Sequence, residues 1–426
     1  SPALRVRARN VESVALFVLG KTAEALDSAR TARAEAQALP AGVPGRKSME
    51  ADALGTIVSA HWHLAEYARC YEAVDERDRL LEEAGDRAQR AQDWIRRSIR
   101  ATGSAHAAEG LEYAERGLQL FREIGDRHLA AEAQFAKSFA LTSLGRHADA
   151  AGTAEEAAAW YRGAGDPGQA SKVLQVLTMA RLNEGELGRA RAACDEARAL
   201  SGEGATAFHR GLHRLLSGQI RALAGDASAA CHELREAASL FHESGHAWNE
   251  ATALNELAEA LLGSPGSEEA RPAADEAVRF AEARNLDELL ARALITRSEL
   301  RRDRDPAGAR ADLERARDLA VQFRKGATRG HALRDLAVLV AREGKPAEAR
   351  QLLAEGLAQS TPTTLDDRIS RHAVRALVSE ALGEREEASA AAAEALRLAR
   401  AAGFGAWEAR LRRITADGSG AGPPDA

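Results

Sequence analysis

The sequence predicts an all-α fold, a solenoid of about ten antiparallel helix pairs stacked into one array. Three observations lead there. Hydrophobic residues make up 45% of the 426-residue chain but aromatic residues only 4%, so the core is built from Ala and Leu. That suits close-packed helices better than a sheet, whose β-branched and aromatic formers are scarce. One corner recurs every ~40 residues, and the apolar residues between corners follow a helical spacing.

The corner is seen in "LLEEAGDRAQ", "LFREIGDRHL" and "WYRGAGDPGQ", and its beats fall at Gly85, Gly125, Gly165, Gly245, Gly326 and Gly403. Ala205, Asn285 and the stretch "STPTT" (360 to 364) stand at the missing beats. Asn in place of Gly points to a helix C-cap, because a left-handed residue closes many helices and Asn tolerates that conformation best after Gly. The Asp that follows Gly85, Gly125 and Gly165 suits the N-cap of the next helix. A second ladder runs between these corners: "LGKTAEA", "LGRHADA", "EGELGRA", "AGDASAA", "EGKPAEA" and "LGEREEA", with degenerate copies at 64–70, 102–108, 263–270 and 304–309. The unit is therefore helix A, turn, helix B, turn. Within helix B, Ala150, Ala154, Ala157 and Tyr161 form one apolar stripe. Such a pair cannot bury its own face, so the copies must stack. The array is expected over 1–415 as a single domain ending in the helix "GAWEARLRRI". Ser1-Pro2 starts the first helix, and the Gly/Pro-rich 416–426 reads as a disordered tail or linker. A chain opening on Ser1 is expected to be cut from a longer protein, with processing or tag removal as the alternatives.

The corner Gly, the following "EA" and the small residues of helix B, as at Gly145, Ala150 and Ala157, resemble the tetratricopeptide repeat (TPR) family. A small residue seven positions before the second-ladder Gly matches as well: Ser13, Ser138, Thr178, Gly218, Ala337 and Ala376. The resemblance covers nearly the whole chain but departs in period, ~40 against the usual ~34, and in lacking the Pro that commonly ends helix B. It is closest in style to long-period bacterial arrays attached to signal-transduction NTPases, transcriptional activators and caspase-like (CHAT) proteases. It implies a right-handed superhelix whose A helices line a concave groove.

Chemistry is sparse. The net charge of −6 gives no global footprint for nucleic acid or an anionic membrane. Cys70, Cys194 and Cys231 form no CxxC and read as buried thiols of a cytoplasmic protein. No apolar run approaches the ~18 residues of a membrane span. "VLGKT" (18 to 22) lacks the upstream Gly of a phosphate-binding loop, since Ala15 stands there, and "GEGATA" (202 to 207) has no strand before it. His209 and His213 share a helix face, yet no third ligand completes a metal site and packed histidines are the preferred reading. No nucleophile stands with a base. The chain is expected not to be an enzyme and to need no cofactor or metal.

Counting back from the second-ladder Gly gives the residues that, by the resemblance, face the groove. They are Phe17, then Trp62, then Arg97 and Arg100, then Phe135 and Phe139. Gln175, Met179 and Asn183 follow, then Gln219 and Asn255, and last Arg301, Arg302, Arg334 and Arg342. Aromatics at helical spacing are otherwise core. Late arginines favour carboxylates, so the expected partner is a protein or peptide segment of acidic character, including one from the parent chain. The expected function is an interaction scaffold, a regulatory fragment of a bacterial signalling protein. The alternative is a ligand- or peptide-sensing arm for an attached NTPase, protease or DNA-binding effector.

Overall fold

The alanine stripes fold into helices alone: among the described residues of this computed structural model the chain forms 21 α-helices and no strand. The structure describes every residue except 65, 104–105, 203–204, 263–268, 324 and 418–426. Most of the expected tail and of the turn at 263–270 therefore lies outside the described residues. The helices make ten consecutive pairs and a terminal helix, as the two ladders predict. Contacts divide the chain into two units, Ser1–Ala140 and Leu141–Ala426.

In the first unit the A helices are α1 (Pro2–Val18), α3 (Arg46–His63), α5 (Arg87–Gly103) and α7 (Arg127–Ser143), inside which the boundary falls. They alternate with the B helices α2 (Thr22–Gln37), α4 (Tyr67–Ala84) and α6 (Ala107–Ile124). The second unit continues with B helices α8 (His147–Gly163), α10 (Leu187–Ser201), α12 (Ala227–Glu243), α14 (Ala270–Ala283), α16 (Pro306–Gln322), α18 (Pro346–Ala358) and α20 (Arg385–Ala402). Its A helices are α9 (Pro167–Glu184), α11 (Ala207–Ala224), α13 (Ala247–Leu262), α15 (Asp287–Arg301), α17 (Gly326–Arg342) and α19 (Leu365–Ala381), followed by α21 (Gly405–Asp417).

Corner chemistry works as its residue types require. Ser1 caps α1 ahead of Pro2, and Asp86, Asp126 and Asp166 each accept the backbone N–H three residues on, at 3.1, 3.0 and 3.0 Å. Asn285, with φ 53°, is the one non-glycine in the left-handed region among the described residues. The corner expected at Gly326 is different: this glycine is the first residue of α17 and has no positive φ. It lies where a Cβ would come within 2.8 Å of the Gln359 carbonyl, so its small size serves packing between α17 and the end of α18.

The helix-B stripe is core, with Ala150, Ala154 and Ala157 fully buried and Tyr161 beside them. Small residues let helix axes approach to the short end of the ~8–10 Å range. In the second unit each A helix from α9 to α17 packs against the next A helix, forming an inner wall. That wall closes on itself. The N-terminal part of α19 meets the end of α9, where Leu365 covers Gly185, and α21 meets the end of α11 at Gly225.

Candidate functional site

The closure of the second unit brings polar side chains from five A-layer helices into one hollow. Each wall helix contributes residues one turn apart: Asn255 and Glu259 on α13, Arg292, Thr296 and Glu299 on α15, His331 and Asp335 on α17. From the far side come Asp366 on α19 and Trp407 and Arg410 on α21.

These groups are knitted together. The Asn255 amide donates to Glu259 at 2.7 Å, and the Thr296 hydroxyl donates to Asn255 Oδ1 at 3.1 Å. Arg292 donates to Glu256 at 3.2 Å. Across the hollow, Arg410 donates to Glu299 Oε1 at 2.6 Å, a contact spanning 111 residues of sequence, and Arg302 stands 3.8 Å from the same oxygen. The Trp407 indole N–H donates to Asp366 at 2.5 Å. His331 Nε2 lies 3.6 Å from Asp335 Oδ2.

Electrostatics divide the carboxylates. Burial alone would raise Glu299, but Arg410 and Arg302 outweigh it and hold the group down to about 2. Asp366 is raised by burial despite the indole bond. Glu259 is raised by burial and by the neighbouring Glu256. Yet Glu259 keeps 43% of its side chain accessible. Glu259 is thus tied to the polar cluster on one side and open to water on the other.

The positions counted from the sequence distribute unevenly. In the first unit Phe17 meets His63 edge-on at 4.9 Å, and Arg100 lies over the Trp62 ring at 5.7 Å. Arg97 turns to the B helices instead, bonding Asp75 at 2.8 Å and lying 4.3 Å over Tyr113. Phe135 and Phe139 on α7 are half-buried. Of the second unit's set, Met179 is exposed, and Asn183 and Gln219 are half-buried. Gln175 is corrected from groove to interior: it is buried and bonds His213 at 3.2 Å. Asn255 belongs to the hollow but is 1% exposed, held as a strut between α13 and α15.

The arginine row needs the same correction. Arg334 is 1% exposed and paired with Asp367 at 2.9 Å. Arg301 points to α14 and α16 through Asp275 and Asp312, and Arg342 pairs with Asp303 at 2.5 Å. With Arg302 on Glu299, all four guanidinium groups already hold carboxylates. They form no open row for an acidic segment.

His213, weighed against a metal role, is a packed histidine: Ser201 Oγ is 2.6 Å away, and burial lowers it to about 4. His209 sits on Thr206 at 2.8 Å. The three cysteines are free and buried. Part of the 202–207 glycine motif lies outside the described residues. No helix among the described residues is long and apolar enough to cross a membrane. The residues that counting missed are Arg292, Thr296 and Glu299 on α15, His331 and Asp335 on α17, Asp366 on α19, and Trp407 and Arg410 on α21. Only the His331–Asp335 spacing was visible locally; α13, α15 and α17 meet as stacked neighbours, and Asp366, Trp407 and Arg410 arrive through closure.

Stacked A/B pairs, left-handed corners and a polar inner wall define a TPR-like helical-repeat fold. No family model matches the chain, and no curated protein matches it in sequence. Among solved structures the chain is similar to the apo form of the quorum sensor NprR from B. thuringiensis, at 13% identity and a TM-score of 0.61, covering 84% of this chain and 99% of that one. It is similar to a Rap protein complexed with Competence and Sporulation Factor, at 10% identity and a TM-score of 0.53, over 78% of this chain and 99% of the other. The apo form of RapI aligns at 13% identity with a TM-score of 0.52, over 76% and 98%. At these identities the likeness is one of fold.

Proposed function

We propose that the chain is a non-catalytic scaffold whose second unit takes an extended peptide or protein segment into its hollow. The observation that carries this reading is the convergence of polar side chains from five A-layer helices on one cluster, with the Glu259 carboxylate still accessible to water. Placed polar groups of this kind fix the orientation of a bound ligand. The likeness in fold to a quorum sensor, and to a protein crystallised with Competence and Sporulation Factor, supports a signalling segment as the ligand. With the four late arginines paired, Glu259 and Asp366 are the groups a segment meets, so its N–H and cationic donors carry recognition.

Fluorescence anisotropy with a library of short labelled peptides tests the reading. Folded Glu259→Lys and Arg292→Glu variants are expected to weaken any wild-type binder more than about tenfold, ~1.4 kcal/mol. If every binder is retained by both variants, the hollow is not the site.

A second reading, a sensing arm controlling an attached effector, is favoured by one feature. The wall is closed by α19 on α9 and α21 on α11, so a segment that shifts those contacts on binding produces a change an effector can read. X-ray scattering of a peptide complex checks this: an unchanged profile on saturation leaves only the scaffold.

A further inference from the structure

We infer that Glu299, His331 and Asp335 form a binding site for a first-row divalent transition-metal cation such as Zn²⁺, a role beyond the peptide reading above. The ligand atoms of these three residues all lie within 4.8 Å of one another. Their origin is favourable: His331 and Asp335 stand one turn apart on α17, and Glu299 approaches from the adjacent α15. Two helices fixed by their own packing hold the donors, so little ordering remains for the ion to impose.

Asp335 supplies an independent observation. It is 5% exposed, and its Oδ2 atom is buried without a hydrogen-bond partner. A buried unpaired carboxylate oxygen is costly. Its nearest basic neighbour, the His331 Nε2 atom at 3.6 Å, is beyond hydrogen-bond reach. An ion bridging imidazole nitrogen and carboxylate oxygen satisfies that atom and draws the two groups to one centre.

Glu299 is compatible with this despite its arginines. Both Arg410 and Arg302 contact Oε1. A carboxylate that gives one oxygen to a metal while a fixed donor holds the other is the usual outer-shell arrangement of metal sites. Charge balance points the same way. Glu256, Glu259, Glu299, Asp335 and Asp366 crowd the hollow, against guanidinium groups from Arg292, Arg302 and Arg410. The donor set of one imidazole and two carboxylates selects borderline ions over Mg²⁺ or Ca²⁺, which take oxygen ligands, and leaves coordination positions for water.

The test is calorimetric titration of the tag-free full chain, stripped with chelator, with ZnCl₂ and then MgCl₂, alongside thermal unfolding with each ion. The expected result is one tight Zn²⁺ site that raises the melting temperature, with Mg²⁺ giving neither effect. His331→Ala, a half-exposed position that leaves the core intact, is expected to lose at least about tenfold in affinity and the thermal shift. Asp335→Asn, which keeps the shape and removes a buried charge, is expected to do the same. His209→Ala keeps both. The inference is overturned if Zn²⁺ does not bind, if His331→Ala and Asp335→Asn bind as wild type does, or if Mg²⁺ binds as tightly as Zn²⁺.

Discussion

Asn285 shows how narrow the demand at a helix corner is. With φ at 53° it holds a conformation that costs most L-residues about 1–2 kcal/mol. Asn285→Ala should therefore lower stability by about 1 kcal/mol in urea denaturation, while Asn285→Gly should not lower it. Equal midpoints for Ala and Asn would show that the left-handed turn is not what the position requires. Glu299 sets a pH signature of the opposite kind. Its folded value, about 2, lies below that of an ordinary glutamate near ~4.3. The stability it contributes is thus fully present above ~4.3 and is lost as pH falls toward 2. Glu299→Gln should cost roughly 2 kcal/mol at neutral pH, a difference that shrinks between pH 5 and pH 3 in thermal melts. Glu259 has the reverse sign, because its folded value is raised. It costs stability at neutral pH and returns it on acidification, so Glu259→Gln should raise the melting temperature at pH 7.

At the scale of the element, the caps and stripes were legible because their causes are local. A Gly or Asn at the end of a stripe, an Asp after it and an Ala every third or fourth position act within one turn of backbone. The groove was legible only in part. Counting back from a corner treats every repeat as equivalent, but Gln175 and Arg334 occupy counted positions where adjacent helices leave no space. Nothing near Glu299 in sequence announces Arg410, because that pair depends on how far the inner wall turns over several repeats. The closing contact itself is testable. Gly185 has φ +85°, and a Cβ there would overlap the Leu365 side chain. Gly185→Ala should destabilise by about 1–3 kcal/mol through backbone strain and overpacking. Adding Leu365→Ala should recover the overpacking share only. Full recovery in the double variant would show that backbone conformation at this corner carries no cost.

For the second unit as a whole, the terminal helix is more than a cap on an apolar end. It brings Trp407 to Asp366 and Arg410 to Glu299 while its start rests on α11. Truncation after Gly403 should lower the unfolding midpoint, and amide exchange should speed up at the end of α11 and around Glu299 on α15, far from the cut in sequence. Exchange confined to α19 and α20 would mean that α21 caps its neighbour and nothing else. A stack of repeats with only nearest-neighbour contacts behaves as a one-dimensional chain, free to fray from either tip while its middle stays folded. Joining α9 to α19 and α11 to α21 removes that freedom. The joined segment must pay a loop-closure entropy on folding, and in return its repeats lose the option of melting one at a time. Its unfolding should be sharper and its folding slower than an open array of the same repeats, because the last contacts to form are the most distant in the chain.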